Sequence, residues 1–157
     1  MPLQYRIALA KDIDLYFDWT NEEATRRNSY QSKPIDYQGH TEWFLRKIKS
    51  GDTLMLVFEN EKGEVVGQVR IEKSNPENII GISIDAQQRG KSYASEMIKL
   101  ASQQFFNQYP LEKQIIAYIK LSNEASKKSF EKANYQLMEK CQIDGIESWK
   151  MSLNKIA

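Results

Sequence analysis

Residues 79–95 constrain this chain more than any other stretch. The run opens on Ile79, Ile80, Ile82 and Ile84, β-branched side chains that suit a pleated, largely buried strand. It passes through Gln87, Gln88, Arg89, Gly90, Lys91 and Ser92, a polar turn with one glycine and two cations, and continues into a helix. A helix that starts directly after such a turn aims unpaired backbone N–H groups and the positive end of its dipole at the turn. Those are the makings of a phosphate site. Neither G-x-G-x-x-G nor G-x-x-x-x-G-K-[ST] is present, so the pattern is neither a dinucleotide fingerprint nor a Walker loop.

The rest of the chain narrows the function classes. Its 157 residues are the size of one domain, and 41% hydrophobic with 27% charged residues describes a globular chain. With 22 basic and 21 acidic side chains the net charge is +1, which gives no global drive toward nucleic acid or anionic membrane. The single cysteine, Cys141, forms no intramolecular disulfide and is read as a core residue; with one histidine, His40, no Cys/His zinc cluster is available and no metal is expected. No apolar run resembles a signal-peptide core or a membrane span, so the expected location is cytoplasmic.

Periodicity and punctuation predict the elements. Residues 4–9 alternate weakly, as an edge strand. Asp12 is placed to cap a helix over 13–24, and the polar stretch 26–34, which contains Pro34, reads as a loop. A helix over 37–50 closes on Gly51. Strands over 53–59 and 64–73 form a hairpin around Gly63, and a turn at Pro76 leads to the strand that enters the polar turn. A helix over 91–107 follows, then a nearly continuous apolar strand over 114–120, a helix over 123–134, and strands over 135–143 and 146–153 joined by Asp144-Gly145. The order β-α-α-β-β-β-α-β-α-β-β predicts an α/β (α+β mixed) fold, a mixed, mostly antiparallel sheet flanked by helices, in one domain spanning 1–157.

Two motifs in that order carry a family resemblance. Gln87-x-x-Gly90-x-Ser92-x-Ala94 resembles the acetyl-CoA pyrophosphate loop [QR]-x-x-G-x-[GA] of the GCN5-related N-acetyltransferase (GNAT) family, with Ser92 at the small position. Asn123-x-x-Ser126-x-x-x-Phe130-x-Lys132-x-Asn134-Tyr135 is similar to the family's N-x-x-[AS]-x-x-x-[YF]-x-K-x-G-[FY]. Asn134 stands for the usual glycine and tolerates a left-handed backbone. Phe130 stands where many members have a tyrosine that protonates the departing thiolate, and Phe carries no proton to give.

The resemblance implies acetyl transfer from acetyl-CoA to a primary amine. It places the backbone of Ile82, Ser83 and Ile84 against the acetyl and pantetheine groups, Arg89, Gly90, Lys91, Ser92, Tyr93 and Ala94 around the pyrophosphate, and Asn123 at the pantetheine arm or the amine. A neutral amine must attack the thioester, so a base or water chain has to take its proton. Glu72 and Ser83 are the candidates, Ser83 through an ordered water; each reads more readily as an exposed strand-end residue with no catalytic role. Tyr118 is a candidate acid or a buried structural tyrosine.

Acceptor choice falls to the first third of the chain. Trp19, Asn21, Arg26, Arg27, Asn28, Ser29, Pro34, Ile35, His40, Trp43 and Phe44 resemble the N-terminal array of acetyltransferases that modify nucleotide-linked amino sugars, the pseudaminic-acid-pathway type. In that reading Arg26 or Arg27 meets a diphosphate, Trp19 or Trp43 stacks on a ring, and Asn28, Ser29 and His40 bond the acceptor. The plainer reading makes Trp43 and Phe44 core residues, His40 a solvated first-turn residue and the arginines a solvated loop. Alternatives are acetylation of a protein N-terminus or a small amine, or a non-catalytic acyl-CoA-binding module. A small-molecule partner is expected, with no nucleic acid and no membrane, and a homodimer is compatible with all of these.

Overall fold

The computed structural model describes residues 3–31 and 33–156. Strand β1 (Gln4–Ile7) is followed by a short 3-10 turn and helices α1 (Ile13–Asn21), α2 (Glu23–Arg27) and α3 (Tyr37–Ser50). Strands β2 (Thr53–Glu59), β3 (Val65–Glu72) and β4 (Ile79–Ile84) form the expected meander. Helix α4 (Tyr93–Gln108), strand β5 (Gln114–Lys120), helix α5 (Glu124–Lys132) and strands β6 (Gln136–Ile143) and β7 (Ile146–Asn154) complete the chain.

All seven strands lie in one mixed sheet, ordered β1-β2-β3-β4-β5-β7-β6. Neighbours are antiparallel except β4 and β5. One face packs against α4 and α5 through Leu56, Phe58, Val69, Ile71, Met97, Ile98, Phe105 and Phe130. A second cluster, Tyr16, Trp19, Phe44, Met55 and Val57, seats α1 and α3 on the other face. That division follows the strand alternation: successive residues of β2 serve opposite cores.

The join between β4 and β5 is the feature that positions a site. It consists of a single parallel bridge, Ile79 to Ile116, with Ile116 N–H donating to Asn78 O at 2.7 Å. Beyond it the strands diverge. Asp85 N–H donates to Val66 O, so odd-numbered residues of β4 direct their backbone at β3. Even-numbered residues therefore face the β5 side, and the N–H groups of Ile82 and Ile84 open into the gap. The opening also explains why Ile82 and Ile84 are half-buried, where a largely buried strand was expected; Ile79, at the bridge, is exposed.

Other local expectations shift. The helix over 13–24 breaks at Glu22, whose extended backbone (ψ 144°) starts α2 and whose carboxylate accepts from Thr25 N–H. The loop over 26–34 accordingly begins within α2. Asp12 caps no bond of α1; its carboxylate takes Leu9 N–H at 2.8 Å and two bonds from Arg6. Cys141 lies half-buried on edge strand β6 rather than in the core. Asn134 has φ 71°, the left-handed conformation expected of it. No helix of the described residues is long and apolar enough to cross a membrane.

Candidate active site

A cavity of about 1490 Å³ opens between the diverging strands. Its walls come from the α2 segment, the start of α3, β4, the α4 loop, β5 and the start of α5. This is larger than a typical single-ligand pocket of ~300–1,000 Å³ and has room for two reactants.

The polar turn forms one wall. Asp85 accepts from Gln87 N–H at 3.0 Å and also holds the Trp19 indole N–H at 2.9 Å. Gly90 (φ 79°) and Ser92 (φ 64°) both take left-handed backbone, so α4 starts at Tyr93 rather than at Lys91. Backbone N–H groups of Gly90, Lys91 and Ser92 donate to no acceptor among the described residues. Free N–H groups at the start of a 16-residue helix suit a pyrophosphate. Arg89, Gly90, Ser92, Tyr93 and Ala94 line the cavity; Lys91 does not, and its ammonium donates to Gln88 Oε1 at 3.1 Å. Arg89 pairs with Glu22 at 2.6 Å, and that guanidinium holds the Glu22 carboxyl below its ordinary pKa.

The gap between β4 and β5 supplies the middle. Ile82, Ser83 and Ile84 line it, but Ser83 differs from its neighbours because its backbone belongs to the β3 ladder. The Ser83 hydroxyl is buried and accepts from Gln68 Nε2 at 2.9 Å, leaving its own proton available. Asn123 lines the far side and N-caps α5, its Oδ1 accepting from Ser126 N–H at 3.3 Å. Phe130 closes the base, buried edge-on against Tyr135 at 5.0 Å.

Two of the candidate proton carriers change meaning. Glu72 does not reach the cavity; it ends β3 in an ion pair with Lys47 at 2.6 Å. Tyr118 does line the cavity, but its O–H donates to Glu77, which also pairs with Lys150 at 2.7 Å. Burial and the Glu77 carboxylate push the Tyr118 hydroxyl up to about 12, so it holds its proton tightly.

The acceptor-side residues divide the same way. Trp19 is buried under the α1 core and lies outside the cavity lining. Arg26 lines the wall, yet its guanidinium is consumed by Thr20 O at 2.6 Å, Gln31 O at 2.7 Å and Ser29 Oγ at 3.2 Å. It therefore builds the α2 loop. His40 is buried against Phe17, Trp43 and Phe44, and its Nε2–H donates to Ile13 O at 3.0 Å. Burial lowers its pKa, keeping the ring neutral. His40 nevertheless borders the cavity, as do Arg27, Asn28, Ser29 and Trp43, with Arg27 exposed.

The residue missed in the sequence is Arg70, on β3 opposite Gly81. It lines the cavity, lies over Trp43 with 5.7 Å from Cζ to the ring centroid, and has no ion-pair or hydrogen-bond partner among the described residues. The signal was a strand reading Val66, Gln68, Val69, Arg70, Ile71, in which polar Gln68 and Arg70 share one face between buried apolar neighbours.

Comparison with known proteins agrees with this architecture. Residues 4–136 match the family model described as the acetyltransferase (GNAT) domain. No curated protein sequence matches the chain. Among solved structures, a spermidine N-acetyltransferase from Vibrio cholerae in complex with CoA and spermine superposes with a TM-score of 0.85 at 16% identity, covering 97% of this chain and 95% of that one. An aminoglycoside acetyltransferase in complex with coenzyme A and kanamycin gives 0.79 at 15% identity, over 98% and 95% of the two chains. Identities this low speak for the shared fold.

Proposed function

The chain belongs to the GNAT family of acetyl-CoA-dependent N-acetyltransferases, and we propose that its acceptor is the primary amine of an anionic small molecule, a nucleotide-linked amino sugar in the first instance. The protein acts as one catalytic domain in the cytoplasm. Acetyl-CoA supplies the activated acetyl group, and the chain's own residues bind, orient and polarise.

The N–H groups of Gly90, Lys91 and Ser92 and the dipole of α4 hold the pyrophosphate. Ile82 and Ile84 present N–H groups to the pantetheine arm and the acetyl carbonyl, and Asn123 fixes the opposite side. Preorganised donors of this kind stabilise charge that develops on the carbonyl oxygen. Ser83 orders the water that takes the amine proton, since Glu72 points elsewhere.

One observation carries the acceptor class. Among the described residues, the charged side chains lining the cavity are Arg26, Arg27, Arg70 and Arg89 against Asp36, and Glu22 pairs with Arg89 alone of these arginines. A polycationic acceptor would meet repulsion there, whereas a diphosphate would be attracted, with exposed Arg27 as its mouth contact. The Vibrio cholerae structure contains spermine, which makes a polyamine the second reading; the arginine-rich lining disfavours it.

Thiol release from acetyl-CoA tests this against UDP-, dTDP- and GDP-linked 3- and 4-amino sugars, spermidine, kanamycin and N-terminal peptides. Turnover on a nucleotide amino sugar at least ~100-fold more efficient than on spermidine is the expected outcome, a difference of about 2.7 kcal/mol in transition-state binding. Preference for spermidine would overturn the acceptor assignment.

A further inference from the structure

Arg70 is the one cavity-lining arginine that has neither a polar partner among the described residues nor open exposure to solvent. Arg26 is bonded three times over, Arg89 has Glu22, and Arg27 stands in solvent. Arg70 is half-buried at mid-strand, and desolvation pulls its pKa below the ordinary arginine value. The nearest acidic influence, Glu72, is already bound to Lys47. A guanidinium carries five N–H donors in a planar fork, so this one keeps its full recognition capacity toward the cavity.

The surroundings look built to hold that fork flat. Trp43 lies against the guanidinium, and on the β4 side Gly81 has no side chain. A Cβ at Gly81 would stand 3.1 Å from Arg70 Cζ and 3.1 Å from its NH2, so the guanidinium would have to give by a few tenths of an ångström. Gly81 precedes Ile82, whose N–H opens into the gap between the strands. The fork is therefore next to the reaction centre rather than at the cavity mouth.

We infer that Arg70 is a specificity-determining residue that binds an oxyanion of the acceptor, phosphate or carboxylate, adjacent to the amine that is acetylated. The inference rests on the reading of this cavity as the acceptor site of an acetyltransferase with an anionic acceptor. An ammonium-rich acceptor would meet an unscreened cation at the same spot, so the one residue both selects and rejects.

The test compares the full-length protein with its Arg70→Gln, Arg70→Lys and Gly81→Ala variants. Acetyl-CoA affinity should stay within about twofold in all of them, because Arg70 lies away from the α4 loop. For the anionic amine that the wild type turns over best, Arg70→Gln should raise KM roughly 10- to 100-fold, the range for losing a charged hydrogen bond. Arg70→Lys should recover part of the loss but not its bidentate share, and Gly81→Ala, which shifts the fork by a few tenths of an ångström, should raise KM by a smaller factor with the arginine still present. Isothermal titration of CoA-saturated protein with UDP and with glucuronate separates the sources: an Arg70-dependent response to UDP assigns phosphate, one to glucuronate assigns carboxylate. An unchanged KM for the anionic amine in Arg70→Gln and Gly81→Ala would overturn the Arg70 role while leaving the acceptor class intact. A wild type that turns over only polycationic amines would overturn the acceptor class and this inference together.

Discussion

His40 shows how a side chain's surroundings settle its charge. It is buried, its neighbours are aromatic, and its Nε2–H is given to Ile13 O. Desolvation lowers its pKa, so below the ordinary histidine value of about 6.5 the unfolded chain takes up a proton that the folded one resists. Stability should therefore fall as pH drops from about 6.5 through the folded value, and be unaffected by this group above it. Melting temperature measured from pH 8 to pH 5 should show that loss in the wild type and a flatter course in His40→Gln, whose amide still donates; parallel curves would refute the assignment. Sequence alone left two roles open for His40, and the deciding partner lies in α1, beyond the reach of helical periodicity. Trp19 was misjudged for the same reason: an indole reads alike whether it faces a ligand or, as here, Asp85 and a core.

Elements whose ends are punctuated locally were legible. Helix α3 ends before Gly51, φ 73°, and β5 is a nearly continuous apolar run, and both appear with the bounds read from sequence. The break at Glu22 was not legible, because a glutamate is an uncommon N-cap, and its two partners, Thr25 N–H and the distant Arg89, show only in the fold. The turn before α4 was readable in composition but not in its two left-handed residues, Gly90 and Ser92. Those residues give a controlled experiment. Gly90→Asp places a strained backbone and a carboxylate against the phosphate wall, while Gly63→Asp imposes similar strain (φ 77°) in the β2–β3 turn. Each should cost about 1–2 kcal/mol of stability. Only Gly90→Asp should weaken acetyl-CoA binding, by at least about tenfold from charge repulsion. Equal affinities by calorimetry would remove the loop from the cofactor site.

At the scale of the molecule, two contacts tie the acceptor-side helices to the cofactor loop: Trp19 to Asp85 and Glu22 to Arg89. Acetyl-CoA should therefore raise hydrogen-exchange protection in α1 and α2 as well as in α4. Trp19→Phe, which keeps the ring packing but removes the indole donor, should cost about 1 kcal/mol and reduce that remote protection. Protection confined to α4 in both proteins would show the halves to be uncoupled. The strand count and meander were readable because each strand has its own pattern, but strand order and the divergence of β4 from β5 depend on partners far apart in sequence, which no local pattern encodes. That divergence has a mechanical side. A sheet held across its middle by the lone Ile79–Ile116 bridge is a pair of leaves on one pin, with β1–β4 in one leaf and β5–β7 in the other. Rotation about the pin moves the far ends of β4 and β5 the most, so a slight twist of the leaves changes the width of the gap that Ile82, Ile84 and Asn123 line.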